Sequence, residues 1–135
     1  MATILHIEDD DASAFLFRRA IETAKLHATV HRVSSGEEAL SYLRGQGRHA
    51  DRTWPDIVYL DLNMPKVDGW QVLADMRADS DLRSIPVVVL TTSFQIADRH
   101  RAHALGAQHY ITKPSTLAAL VVAVEATYQS LVANG

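Results

Sequence analysis

Short apolar runs alternate along this chain with longer stretches in which apolar residues recur every three to four positions. The runs are Thr3 to Ile7, Thr29 to Val33, Ile57 to Leu60, Val87 to Thr91 and His109 to Thr112. Ile57, Val58, Tyr59 and Leu60 show no polar alternation, which predicts a strand covered on both faces. The stretches between the runs read as helices. Ala12 to Ala24 brings Phe15, Leu16, Ala20, Ile21 and Ala24 near one face, with Asp11 as the expected cap. Ser35 followed by Glu38 is a capping box for a second helix that carries Ala39, Leu40 and Leu43 and ends near Gly45. Asp68 and Gly69 start a third, with Val72, Leu73 and Met76. Ala97 to Leu105 forms a fourth, stopped by Gly106, and Thr116 to Val132 the last. The connection Gly45 to Pro55 is polar, turn-rich and long for its position, as functional or mobile loops often are. Strict alternation of strand and helix, five times over, predicts an α/β fold: a doubly wound parallel sheet with right-handed crossovers.

Polar residues collect where the strands end. Asp61 follows the central run, Glu8 to Asp11 follow the first, Thr91, Thr92 and Ser93 close the fourth, and Lys113 closes the fifth ahead of Pro114. On a common sheet edge, Glu8, Asp9, Asp61, Thr91 and Lys113 converge in the crevice where open α/β sheets bind ligands. Three carboxylates cannot stay close and ionised without a counter-charge, and hard oxygen donors with open positions suit Mg²⁺. With metal and lysine neutralising a phosphoryl group, a free carboxylate can act as nucleophile and form an aspartyl phosphate. Asp61, alone on its strand, is the candidate.

Composition narrows the partners. A chain of 135 residues favours one domain, residues 1–135, with a core that needs no staples. Its net charge of -3 gives no electrostatic case for nucleic acid or an anionic membrane. The absence of cysteine excludes disulfides and thiolate metal sites. No basic segment precedes the first apolar run and no apolar stretch is long enough to span a bilayer, so a cytoplasmic protein is expected. Between Pro114 and Gly135 the only ionisable side chain apart from tyrosine is Glu125, while Leu117, Leu120, Val121, Val122, Val124, Leu131 and Val132 encircle the helix. That girdle exceeds what one sheet face needs, so a homodimer through the fourth helix, fifth strand and fifth helix is expected.

The segments IEDD at Ile7 to Asp10, LDLNMPKVDG at Leu60 to Gly69, VVVLTT at Val87 to Thr92 and GAQHYITKP at Gly106 to Pro114 together resemble response-regulator receiver domains of two-component signalling, nearly end to end. The resemblance implies a flavodoxin-like (βα)5 fold with strand order 2-1-3-4-5. It implies that Glu8 and Asp9 hold Mg²⁺, that Asp61 is both phosphoacceptor and metal ligand, and that Asn63 offers its backbone carbonyl to the metal. Thr91 would turn its hydroxyl to the phosphoryl group, Lys113 would pair with it, and Tyr110 matches the switch aromatic that follows Thr91. Asn63 and Ser93 would border the path of hydrolytic water and tune signal lifetime. The resemblance also implies that the Lys113–Pro114 bond is often cis. The long loop before strand three, Asp68 to Trp70 and Thr91 to Ser93 look like the small regulators paired with phytochrome-type histidine kinases, which implies a histidine kinase, a bacteriophytochrome among them, as phosphoryl donor. By the same likeness the chain is a phosphoacceptor signalling domain that assists its own phosphorylation and dephosphorylation, not a conventional enzyme. No output domain is expected after the fifth helix.

Blander readings stand beside these. An acidic run such as Glu8 to Asp11, taken alone, is more often a helix cap than a metal site, and a lone Lys-Pro pair is usually a strand terminus. Only their joint placement reverses those odds. His100 and His103 share a helical face and His27 precedes His31 by four, but neither pair has clear additional ligands, which argues against transition-metal binding. Trp54 and Trp70 read as loop and helix anchors. Two other classes compete. A haloacid-dehalogenase-type phosphohydrolase needs an acid/base carboxylate two residues after its nucleophile, where Asn63 stands. A phosphorylation-independent adaptor or dimerisation module would bind its partner equally well after Asp61→Asn.

Overall fold

The computed structural model describes residues 1–133 and contains one sheet of five parallel strands. In chain order the elements are β1 (Ala2–Ile7), α1 (Asp11–Thr23), β2 (Ala28–Val33), α2 (Gly36–Leu43), β3 (Ile57–Leu60), α3 (Gly69–Ala78), β4 (Val87–Thr91), α4 (Ile96–Ala104), β5 (His109–Thr112) and α5 (Leu117–Tyr128). The strand order is β2-β1-β3-β4-β5, the expected flavodoxin-like arrangement. Residues 134–135 of the expected domain lie outside the described residues.

Strand side chains alternate between two cores, as the period of two requires. Leu5, Ile7, Val58, Leu60, Val87 and Val89 pack with Ala39, Tyr42 and Leu43 of α2, Val72, Leu73 and Met76 of α3, and Ala102 of α4. Ile4, Ile57, Tyr59, Val88 and Leu90 face the other way, against Phe17, Ala20 and Ile21 of α1 and Leu120, Val124 and Tyr128 of α5. The buried Tyr59 hydroxyl is satisfied by Thr127 at 2.8 Å and the Val124 carbonyl at 3.3 Å. The unalternating β3 thus feeds both cores, which explains its wholly apolar sequence.

The structure corrects three readings. The cap of α1 is Asp10, whose carboxylate accepts from Ser13 N at 2.8 Å, so the helix includes Asp11. Its buried face follows Phe17, Ala20 and Ile21, leaving Phe15 63% and Leu16 47% exposed. Three consecutive apolar residues left the phase of that helix open. The i, i+3, i+4 match of Phe17 with Ala20 and Ile21 settles it against the sheet.

The second correction concerns the apolar girdle of the last helix. Leu117, Leu120, Val121, Val124, Leu131 and Val132 all pack on the core, and Val122 is the large apolar side chain of α5 left exposed. The α-helix ends at Tyr128, and one π-helical turn spans Gln129–Ala133. Thirdly, Lys113–Pro114 is trans, the isomer that X–Pro bonds favour intrinsically by about 0.5–1 kcal/mol. The long connection before β3 makes contacts of its own. It forms a 3₁₀ turn at Gly47–His49, Tyr42 donates to the Thr53 carbonyl at 2.9 Å, Arg52 to the Leu43 carbonyl at 3.0 Å, and Arg48 pairs with Glu38. Among the described residues no helix is long and apolar enough to cross a membrane.

Candidate functional site

Parallel pairing brings the strand ends together. Ile7 stands opposite Leu60, so Glu8 and Asp61 follow side by side at the same edge. Thr91 stands opposite Thr112, which delivers Lys113 next. Backbone bonds continue just past each strand: Asp61 N to the Ile7 carbonyl at 3.0 Å, Glu8 N to the Val33 carbonyl at 3.0 Å and Lys113 N to the Thr91 carbonyl at 2.7 Å. The site is therefore held by the sheet's own ladder. Behind Asp61 the chain must turn tightly into α3, and Gly69 permits it, since a Cβ there would overlap the Asp61 carbonyl oxygen.

Glu8, Asp9 and Asp61 form the one group of three or more potential metal ligands found among the described residues, their carboxylate oxygens within 4.8 Å of one another. Glu8 is fully buried, Asp61 nearly so, and Asp9 opens to solvent. Lys113 Nζ lies 2.7 Å from Glu8 Oε1 and 3.6 Å from Asp61 Oδ2, and also reaches Ser13 Oγ at 3.3 Å. Burial raises the Glu8 carboxyl to about 7; the Lys113 ammonium pulls it down, but the Asp61 carboxylate adds to the rise. Burial disfavours the Lys113 charge, yet Glu8 and Asp61 outweigh it and hold that pKa above its usual value. One ammonium against three carboxylates leaves the crevice short of positive charge. That deficit, with all-oxygen donors and one solvent-facing ligand, fits a divalent cation such as Mg²⁺.

Thr91 is buried and makes no direct hydrogen bond to Asp61. Asn63 links them: its backbone N donates to Asp61 Oδ1 at 3.1 Å and its Nδ2 to Thr91 Oγ1 at 3.2 Å. The Ser93 hydroxyl is turned away, donating to Asp98 Oδ2 of α4 at 2.6 Å. The Ser93 carbonyl accepts from Tyr110 at 3.1 Å and from Thr112 at 3.0 Å. Tyr110 also lies under the Arg99 guanidinium, 4.8 Å from its ring centroid. Thus Asn63, Thr91, Ser93 and Tyr110 form one connected path from the carboxylates to α4 and β5.

The family described as Response regulator receiver domain matches residues 4–125. The chain belongs to that family. This receiver is 41% identical over 125 residues to a probable methanogenesis regulatory protein, FilR2, of Methanothrix harundinacea, covering 90% of this chain and 78% of that one. It is 36% identical over 114 residues to the response regulator Rcp1 of a Synechocystis species, covering 84% of this chain and 78% of that one. Among solved structures, the phosphorylated cyanobacterial phytochrome response regulator RcpA superposes with a TM-score of 0.91 at 36% identity, over 99% of this receiver and 96% of that chain. The Mn²⁺-bound form of Rcp1 gives 0.88 at 33% identity, over 98% and 96%. The receiver is thus a signalling domain of two-component phosphorelays, similar to phytochrome response regulators.

Three residues at or near the site carry no sequence signal that was used to find them. Arg32 of β2 donates through Nε to the Glu8 carbonyl at 3.0 Å and through Nη1 to Asp11 Oδ1 at 2.8 Å. It stands inside β2, one residue before the strand's last, whereas the strand-end pattern points to Ser34. Ser13 needed the corrected start of α1. His6, stacked on Phe17 at 4.0 Å, sits in an apolar strand and had no motif to mark it.

Proposed function

We propose that Asp61 accepts a phosphoryl group from a phosphohistidine of a histidine kinase, a phytochrome-type kinase being the donor suggested by the relatives. An Asp61 carboxylate oxygen forms the new bond to phosphorus as the phosphorus–nitrogen bond of the donor breaks, and the histidine leaves. Mg²⁺, when bound by Glu8, Asp9, Asp61 and the Asn63 carbonyl, supplies charge neutralisation for the transferring group. Lys113 supplies a second positive charge within reach of Asp61. The observation that carries the reading is the buried Asp61 carboxylate, 3.6 Å from the Lys113 ammonium and beside two further carboxylates at the open edge of a parallel sheet.

Once phosphorylated, Asp61 offers new acceptor oxygens. Thr91 then exchanges its bond from Asn63 for one to the phosphoryl group, and charge-assisted bonds from Thr91 and Lys113 stabilise the new arrangement by about 1.5–3 kcal/mol each. Tyr110 and Ser93 carry that movement to α4 and β5, while Asn63 and Ser93 set how readily water reaches the phosphoryl group. A homodimer through α4, β5 and α5 is part of the same reading. It is supported by Ile96 of α4 and Val122 of α5, each 70% exposed. Sedimentation at rising concentration, with and without phosphorylation, should reveal the dimer; a monomer throughout would remove it.

The test of phosphotransfer is intact-protein mass after incubation with acetyl phosphate, with and without Mg²⁺. A Mg²⁺-dependent phosphoryl adduct is expected on the native chain and none on Asp61→Asn. No adduct from either acetyl phosphate or a phosphorylated kinase would turn the reading towards a phosphorylation-independent adaptor.

A further inference from the structure

The Glu8–Asp11 turn carries two of the three carboxylates, and groups outside that pair help to set its shape. From the helix side it is held by Asp10, which caps α1 and whose own N donates to Glu8 Oε2 at 3.2 Å. From the sheet side it is held by Arg32, whose two contacts bracket Asp9 and Asp10: the Glu8 carbonyl on one flank, the Asp11 carboxylate on the other. Asp9 makes no side-chain hydrogen bond among the described residues, so the backbone of this turn decides where its carboxylate points. The guanidinium donates to the two acceptors from separate nitrogens held in one fixed plane, a geometry that a single ammonium nitrogen cannot reproduce. Arg32 Nη2 is meanwhile buried with no partner. An unsatisfied buried donor costs stability, so the guanidinium is a poor choice if folding alone is served.

We propose that Arg32 is a positioning residue for the divalent cation, fixing the Glu8–Asp11 turn so that Glu8 and Asp9 present their carboxylates to the metal. The inference rests on the metal site proposed above. It also opposes the simplest electrostatic expectation. A cation beside the site repels Mg²⁺ through space, so charge alone would make its removal tighten metal binding, whereas loss of positioning loosens it.

Mn²⁺ affinity measured by electron paramagnetic resonance on the unphosphorylated protein separates the two. Arg32→Gln should weaken Mn²⁺ binding by about 10- to 100-fold, the usual consequence of removing a group that orients a metal ligand. Arg32→Lys, which keeps the charge but not the fork, should also bind more weakly than native. Affinity equal to or tighter than native in Arg32→Gln, or full rescue by lysine, would overturn the proposal. Should Arg32→Gln fail to fold by circular dichroism, Asp11→Asn replaces it, because the Asp11 side chain is 93% exposed and removes the outer anchor alone. Its loss of affinity should persist in 0.5 M KCl, where through-space charge effects between exposed groups are screened over about 3–10 Å; a loss that vanishes in salt would count against positioning. Asp9→Asn serves as the control: if native chain and Asp9→Asn bind Mn²⁺ alike, the metal site itself falls, whereas native-like binding by Arg32→Gln alone removes only the role of Arg32.

Discussion

Gly69 shapes the site from behind, and His6 shows what burying a titratable ring in the neighbouring core costs. With its missing Cβ, Gly69 lets α3 begin against the Asp61 carbonyl. Gly69→Ala should therefore destabilise the fold by about 1–3 kcal/mol, the range for an overpacked core, seen as a lower urea midpoint. His6 is buried on β1, and burial, then the charges of Lys113, Arg32 and Arg18, push its pKa down to about 3. Unfolded, it titrates near 6.5. Between those values the unfolded chain binds the extra proton, so His6 leaves stability untouched above pH 6.5 and withdraws up to about 1.4 kcal/mol per pH unit as pH falls towards 3. Denaturant unfolding across that window should show this slope in the native protein and a shallower one in His6→Phe. Legibility at this scale followed chemistry. Asp61, Glu8 and Lys113 stood out because charges at the ends of apolar runs need a reason. Arg32 did not, because one arginine on an edge strand has an ordinary solvated explanation.

At the scale of elements, α1 separates pattern from packing. Its sequence holds Phe15, Leu16 and Phe17 in a row, and only the sheet decides which faces inward. Phe17→Ala should cost about 3–5 kcal/mol, whereas Phe15→Ala should stay within about 0.5 kcal/mol of native; the reverse order would restore the face expected from sequence. Strands β3, β4 and β5 begin and end where the sequence predicts, since an apolar run bounded by proline, glycine or charge leaves little freedom. The capping box of α2 also forms, with Glu38 N bonded to Ser35 Oγ at 3.1 Å, although the Glu38 carboxylate reaches back to Ser34 N at 3.0 Å instead of to the cap residue. The tied-down loop before β3 was not legible: Tyr42 and Arg52 find their acceptors through the fold, and nothing local in the sequence pairs them.

Across the whole molecule, two cores and one open edge divide the labour between holding and acting. The alternation of strand and helix was enough to read the architecture, because right-handed crossovers leave few ways to arrange it. The girdle of α5 was misjudged for the converse reason: how much of a helix a second core covers is a property of the assembled layers. A global consequence concerns the uncompensated carboxylates. Mg²⁺ at 100-fold its dissociation constant should add about 2.7 kcal/mol to stability, raising the thermal midpoint, and Asp9→Asn should abolish most of that gain. The sheet order carries one more implication. β1 is made first but lies inside the sheet, between β2 and β3. Glu8 must wait for Asp61, and both must wait for the lysine on the last strand, which leaves the ribosome about 3–10 s after Asp61 at ordinary synthesis rates. A nascent or truncated chain can thus display the acidic pair without the cation that completes the pocket, so under the proposed phosphotransfer competence to receive a signal arrives only with the final strand.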